Sequence, residues 1–367
     1  MARPHARAYN EPMVACRPRR WLRTFLAVPG LVVALAHAPA AAQGALNGPT
    51  QSIAVGNGVV VRVDLRSANR LTIQTSARHF VNIQGAGTLA AQHYDPAQVR
   101  TALRPQIDIF AATVQSPMGR ITLLPESFVL SSLRGGPHDG VQIRGEDAGD
   151  VTLTVPSSTA LLIAHLGRGH MILRNYRNGI FITRVHNGSL VLSNDGGAGF
   201  AEVARGFVFA QHSSFERLRA RTAVGDVLFE RCNARQIEVT SVLGNIVYDN
   251  GSFESGLARF ESLYGNVALG IAAGGVQIGA HSSTGRIYSR LDGRARISGS
   301  GEDVQAQVNG GGPVVTASSG AGAIYLYGGS MRGQRSMGNG WGGMRSIVVR
   351  RPRAVRVRTS GGSRHRV

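Results

Sequence analysis

The sequence predicts an all-β fold: a parallel β-solenoid, or β-helix, with two short strands in each coil of about 19 residues. Three observations predict it. The 367-residue chain carries 48 glycines and only 6% aromatic residues, a balance that suits many tight turns. A glycine-led strand recurs through residues 149–330 at a nearly constant step. A second set of short strand-like segments falls about half a step later, which leaves no room for a helix.

The glycine-led segments are Gly149-Asp-Val-Thr-Leu, Gly169-His-Met-Ile-Leu, Gly188-Ser-Leu-Val-Leu, Gly225-Asp-Val-Leu-Phe, Gly244-Asn-Ile-Val-Tyr, Gly265-Asn-Val-Ala-Leu, Gly285-Arg-Ile-Tyr-Ser and Gly322-Ala-Ile-Tyr-Leu. Gly206-Phe-Val-Phe fits with a shift of one residue. The steps are 20, 19, 18, 19, 19, 21, 20 and 37, and the last counts as two coils. Glycine opens the strand because the turn needs positive φ or a close approach to the neighbouring coil, and both exclude a Cβ. Asp226, Asn245 and Asn266 beside it are residue types that tolerate the left-handed region. The second set includes Gln236-Ile-Glu-Val, Leu257-Ala-Arg-Phe, Gly275-Val-Gln-Ile and Arg294-Ala-Arg-Ile.

Side chains alternate along a strand, so the second and fourth positions after the glycine face inward together. These are Val151 with Leu153, Leu190 with Leu192, Val227 with Phe229 and Val267 with Leu269. The third position should point outward. On the first sheet that column reads Thr152, Ile172, Val191, Leu228, Val247, Ala268, Tyr288 and Tyr325, with Val208 in the shifted coil. The matching column of the second sheet reads Glu238, Arg259, Gln277 and Arg296. A sheet apolar on both faces is covered on both faces. Ile172, Val191, Leu228, Val247, Tyr288 and Tyr325 are therefore a candidate interaction face for a partner or a second copy, with cover from within the chain as the other reading.

Four segments follow. Residues 1–42 read as a secretory leader: Arg17, Arg19, Arg20 and Arg23 precede an apolar run from Phe25 to Ala36, and Ala40 and Ala42 suit cleavage before Gln43. The apolar run is about a dozen residues, short of the ~20 that span a bilayer, so no membrane-spanning segment is expected after cleavage. The expected location is the periplasm, the cell surface or the medium. Residues 43–148 read as irregular β-rich early coils and a cap, with a short helix opening at Asp95-Pro96. Residues 149–330 form the solenoid, and 331–367 a Gly/Arg-rich tail. Arg350, Arg351, Arg353, Arg356 and Arg358 of that tail are candidate contacts for an anionic envelope polymer.

The net charge of +19 sits mostly in the leader and the tail, which contribute +5 and +10. A basic patch on a folded face is therefore not indicated, nor is specific nucleic-acid binding. Cys232 stands alone after the leader and reads as a structural thiol. Glu146, Asp147 and Asp150 are the densest acidic group and read as a polar turn. His165 and His170 lack the spacing of a zinc pair, and no serine sits in a nucleophile motif. No catalytic residue, cofactor site or metal site is expected.

With these repeats in hand, residues 141–330 resemble the bacterial putative-adhesin family of unknown function. Ser241-Val-Leu-Gly-Asn-Ile-Val-Tyr, Ser283-Thr-Gly-Arg-Ile-Tyr and the entry Val151-Thr-Leu-Thr-Val-Pro156 carry the resemblance. It implies a short-strand solenoid without established catalytic residues. The polymer-forming bactofilins share a similar short-coil solenoid, but they are typically cytosolic and the leader argues against them. The expected function is that of an exported non-catalytic module, adhesive or structural in the envelope. The alternatives are a polysaccharide-active enzyme on the same fold and a self-assembling filament.

Overall fold

The computed structural model describes residues 50–94, 113–116, 119–122 and 140–329 except 273 and 292–294. The chain divides into Met1–Ala45 and Leu46–Val367, and all described residues belong to the second unit. The leader, the segment after Asp95 read as a helix, and the basic tail lie outside the described residues.

The described residues are all-β, without a helix. In chain order the strands are β1 (Gln51–Ala54), β2 (Val60–Ser76), β3 (Phe80–Tyr94), β4 (Thr113–Ser116), β5 (Gly119–Thr122), β6 (Gly140–Pro156), β7 (Leu161–Arg174), β8 (Ile180–Ser193), β9 (Gly196–Gln211), β10 (Ser214–Val224) and β11 (Val227–Glu230). They continue as β12 (Asn233–Leu243), β13 (Ile246–Phe253), β14 (Leu257–Tyr264), β15 (Val267–Ile271), β16 (Val276–Ser282), β17 (Ile287–Arg290), β18 (Ala295–Ser300), β19 (Asp303–Val308), β20 (Val314–Ala321) and β21 (Ile324–Gly328). β4 and β5 form a separate antiparallel pair.

The remaining strands build one ladder whose central part is parallel, each pass of the chain lying on the next. Leu161 pairs with Ile180 and Gly188 with Gly206, so the glycines stack in a column. At Gly225 the reason is geometric. Its φ is 138°, and a Cβ there would lie 1.4 Å from the carbonyl oxygen of Gly206. The inward pairs named from the sequence are buried at 0–1% exposure within one long core. Burying each such side chain contributes about 1.5–3 kcal/mol.

A second corner column lies after the glycine-led strands. Asn175, Asn194, His212, Arg231 and Asn250 all adopt left-handed φ between 50° and 58°. Asp226, Asn245 and Asn266, read above as suited to that region, do a different job. The Asp226 carboxylate accepts from the Asn245 backbone N–H at 2.7 Å, the Asn245 side-chain oxygen from Asn266 at 2.9 Å, and that of Asn266 from Ala323 at 2.8 Å. Serines stitch the same corner: the hydroxyls of Ser241, Ser262 and Ser319 donate to the carbonyls of Gly225, Gly244 and Gly265.

The ladder departs from the expected pattern in four ways. Two short strands per pass occur only from Ser214 onward; β6 to β9 are single strands of 14–17 residues that run through the glycine corner. From Asp226 on, a side-chain oxygen accepts one backbone N–H of the corner in each pass, while the flanking Val227 and Ile246 N–H groups still bond the backbone carbonyls of Asn245 and Asn266. Gly206 needs no shift, because Val208 pairs with Leu190 and faces the core, and Phe209 takes the outward place beside Val191. The 18-residue offset holds throughout β8–β9 and returns to 19 at a bulge between Phe215 and Arg217.

The passes also do not follow chain order at either end. β2 lies between β6 and β7, and β20 with β21 lies between β14–β15 and β16–β17. Gly322 therefore stacks directly against Gly265, and the 37-residue step is not two coils. The intervening β19 runs antiparallel against β16 and β18 antiparallel against β19, while β3 runs antiparallel against β6 with β1 beyond it. The parallel ladder thus begins at Val60, and the boundary read at residue 149 falls inside β6.

Candidate functional site

The outward column on the glycine-led strands packs within the chain. Phe209, Leu228, Val247, Ala268 and Tyr325 form a second apolar cluster, with Phe207, Ala323 and Tyr327 joining from neighbouring positions. Side chains at the same position in successive passes lie about 4.8 Å apart and cover one another. Of the proposed interaction face, Ile172, Leu228, Val247 and Tyr325 are buried at 3–9% exposure and Val191 is half-buried. Tyr288 remains open at 38%, its ring stacked on Tyr325 with centroids 5.2 Å apart.

The column read as polar on the second sheet also changes along the ladder. In register it runs Ile163, Ile182, Phe200, Arg219, Glu238, Arg259, Thr316 and Gly279. Gln277 pairs with Val314 and lies outside it, and Arg296 belongs to the antiparallel β18. The apolar members and the Arg219–Glu238 ion pair, 3.1 Å apart, are all buried. Burial lowers the Arg219 pKa, against the attraction of Glu238.

The exposed apolar surface lies instead at the corner just before the stacked glycines. Val224, Leu243 and Tyr264 are in register on β10, β12 and β14, and Val242 and Leu263 precede the last two. Their exposures are 43–56%. The serine hooks explain the geometry: Ser241 and Ser262 turn in toward the glycine carbonyls, and the two residues that follow in Ser-Val-Leu-Gly and Ser-Leu-Tyr-Gly are left outside. Arg205 pairs with Val224 at one end of this ridge, and Ala321 with Tyr264 at the other. The sequence signal was present in Ser241-Val-Leu-Gly244, read as part of a family motif and not as a surface, while its counterpart Ser262-Leu-Tyr-Gly265 was not singled out.

A second feature is an open cleft lined by Asp64, Arg66, Arg144, Glu146, Asp147 and His165. Asp64 is its best-held group. Its carboxylate accepts from Arg62 Nε at 2.7 Å and lies 3.2 Å from His165 Nδ1. Burial pushes its pKa up, but hydrogen bonds from His165 and Arg62, with the Arg62 charge, hold it down to about 2. Ionised Asp64 makes Nδ1 of His165 the donor of this contact. Nε2 is buried without a hydrogen-bond partner among the described residues.

The remaining residues singled out in the sequence are dispersed. Asp150 lies 3.8 Å from Arg70, and His170 Nδ1 is 2.7 Å from the Ser189 hydroxyl. Burial pushes the Cys232 thiol up to about 12, which keeps it in the unreactive protonated form. Among the described residues, no three His, Cys, Asp or Glu side chains are grouped to hold a metal ion, and no helix is long and apolar enough to cross a membrane.

No protein-family model matches the chain, and no curated protein does. Among solved structures it is similar to a crystal structure named a "putative cell adhesion protein" from Clostridium sporogenes. The identity is 10% and the TM-score 0.23, over 76% of this chain and 98% of that one. A likeness of that degree carries no argument about activity.

Proposed function

We propose that the chain is an exported, non-catalytic parallel β-solenoid that acts as an adhesin-like or cell-envelope binding module. The observation that carries this reading is the ridge of Val224, Val242, Leu243, Leu263 and Tyr264, five large apolar side chains left about half exposed on three adjacent passes. Contiguous apolar surface rimmed by polar residues marks an interaction site, and a tyrosine on such a patch is a typical anchor. The partner is a protein or an envelope polymer, and no cofactor is required. The basic tail, with Arg350, Arg351, Arg353, Arg356 and Arg358, supplies a second, electrostatic contact with an anionic polymer.

The test is the double substitution Leu243→Ser with Tyr264→Ser, compared with the parent chain and with a chain ending at residue 330. Both side chains are about half exposed, so thermal stability should change little, by about 0.5 kcal/mol per site. Binding to cell-envelope fractions should fall about tenfold or more, as at an anchor position. Undiminished binding by the folded variant removes the ridge as the contact.

One observation favours a second reading, a polysaccharide-active enzyme. The Asp64–His165 pair lies in the same cleft as Glu146 and Asp147. Turnover of an acidic polysaccharide by the parent chain, lost in His165→Ala, would establish it; an inert parent chain would dismiss it.

A further inference from the structure

We infer that the pass formed by β20 and β21 is exchangeable, and that a second copy of this chain can supply it to give a strand-swapped dimer. The inference rests on the register of the ladder and is independent of the ridge as a docking surface.

β20 and β21 occupy a slot between two passes that are neighbours in sequence. Leu257 pairs with Val314 on one side, and Gln277 pairs with Val314 on the other. Gly265 and Gly285 are 20 residues apart, the same step that elsewhere carries the chain to the next pass. The chain therefore reaches past the slot and returns to fill it after the antiparallel β18 and β19. Whatever fills the slot must present a matching set of groups. Val315, Ala317, Ile324 and Leu326 complete the core at 0–2% exposure. The Ser319 hydroxyl donates to Gly265 O at 2.8 Å, and the Ala323 N–H to Asn266 Oδ1 at 2.8 Å. This is a site specific for β20–β21, from this chain or from an identical one.

The connection supplies the hinge. Between β19 and β20 lies Asn309-Gly-Gly-Gly-Pro313, in which Asn309, Gly310 and Gly311 have φ of 49°, 85° and 92°. Three consecutive left-handed residues fold the chain back sharply, and the Asn pays for that conformation where a glycine would not. Extending this segment releases the turn and carries β20–β21 outward with its contacts unchanged in kind. Exchange of an identical element through a tight hinge is a low-cost route to a dimer.

Paired cysteines test this in the full chain. Glu261 and Ser318 are register partners whose side chains meet at 3.4 Å, within reach of a disulfide after substitution by cysteine. Chains carrying Cys16→Ser and either Glu261→Cys or Ser318→Cys are unfolded together, refolded under reductant and then oxidised. Cys232 is fully buried in the folded chain and stays out of the reaction. The expected result is a covalent dimer in the mixture that neither variant forms alone. Its ratio to monomer should rise about tenfold for a tenfold rise in chain concentration, by mass action. A control chain carrying both cysteines should close its own bridge at low concentration, which verifies the pairing. A control that closes, with no mixed dimer at any concentration, overturns the inference. Arg259→Cys with Thr316→Cys, also register partners, serves as the second pair if the first variants fail to fold.

Discussion

Asp195 follows the left-handed Asn194 at the second corner, with only 3% of its surface exposed. It accepts the backbone N–H groups of Tyr176 and Ser193, each at 2.8 Å. Burial pushes its carboxyl from the ordinary 3.8 to about 8, against those two bonds, which favour the ionised form. The folded chain therefore keeps the proton across a range where the unfolded chain has lost it. The resulting stabilisation is complete below about pH 4 and declines as the pH rises toward 8. Asp64, held near 2, works in the opposite sense, and its share is lost only on acidification below about pH 4. Urea-unfolding midpoints should accordingly fall from about pH 5 to pH 8, and the fall should shrink in Asp195→Asn, which does not titrate. An equal slope in parent and variant would assign the pH dependence elsewhere. Nothing in the sequence distinguishes Asp195 from an ordinary turn aspartate. Its burial comes from the passes on either side, which a local pattern does not contain.

At the scale of the strand, the side-chain ladder Asp226–Asn245–Asn266 decides where one strand ends and the next begins. Asn245 is the middle member, donating to Asp226 and accepting from both the backbone and the side chain of Asn266. Asn245→Ala leaves the Asn266 N–H without its acceptor in a partly buried corner, at a cost of about 1–3 kcal/mol. Chemical denaturation measures this directly, and a change under about 0.5 kcal/mol would mean that water replaces the ladder. The glycine-led strands and their inward pairs were legible because their chemistry repeats every pass. The left-handed column was not: His212 and Arg231 interrupt its asparagines, and only the register reveals that all five share one corner. The ridge was half legible, since Ser241-Val-Leu-Gly244 was singled out, but not its counterpart at Ser262, nor which two residues each serine leaves outside.

For the whole molecule, the order of the passes was the hidden variable. Passes of equal length offer one another nearly equivalent edges, so periodicity does not say whether Gly285 stacks on Gly265 or on Gly322. The structure answers with an interposed pass at each end and antiparallel strands beyond, which occupy edges that would otherwise recruit another chain. The protection should be graded along the ladder. Amides of β8, β9, β10 and β12, paired on both sides, should exchange with deuterium slowest. Those of β1 and β18, paired among the described residues only with β3 and β19 respectively, and in β18 with five of six residues exposed, should exchange fastest. Uniform exchange from end to end would mean that the stack opens as one unit. The bulge at Glu216, between Phe215 and Arg217, has a consequence of its own. It is where this protein has already accommodated a change in chain length while keeping every later side chain on its proper side. One residue added or removed there could be tolerated by closing or widening the kink, whereas the same edit within β8 would turn the strand inside out.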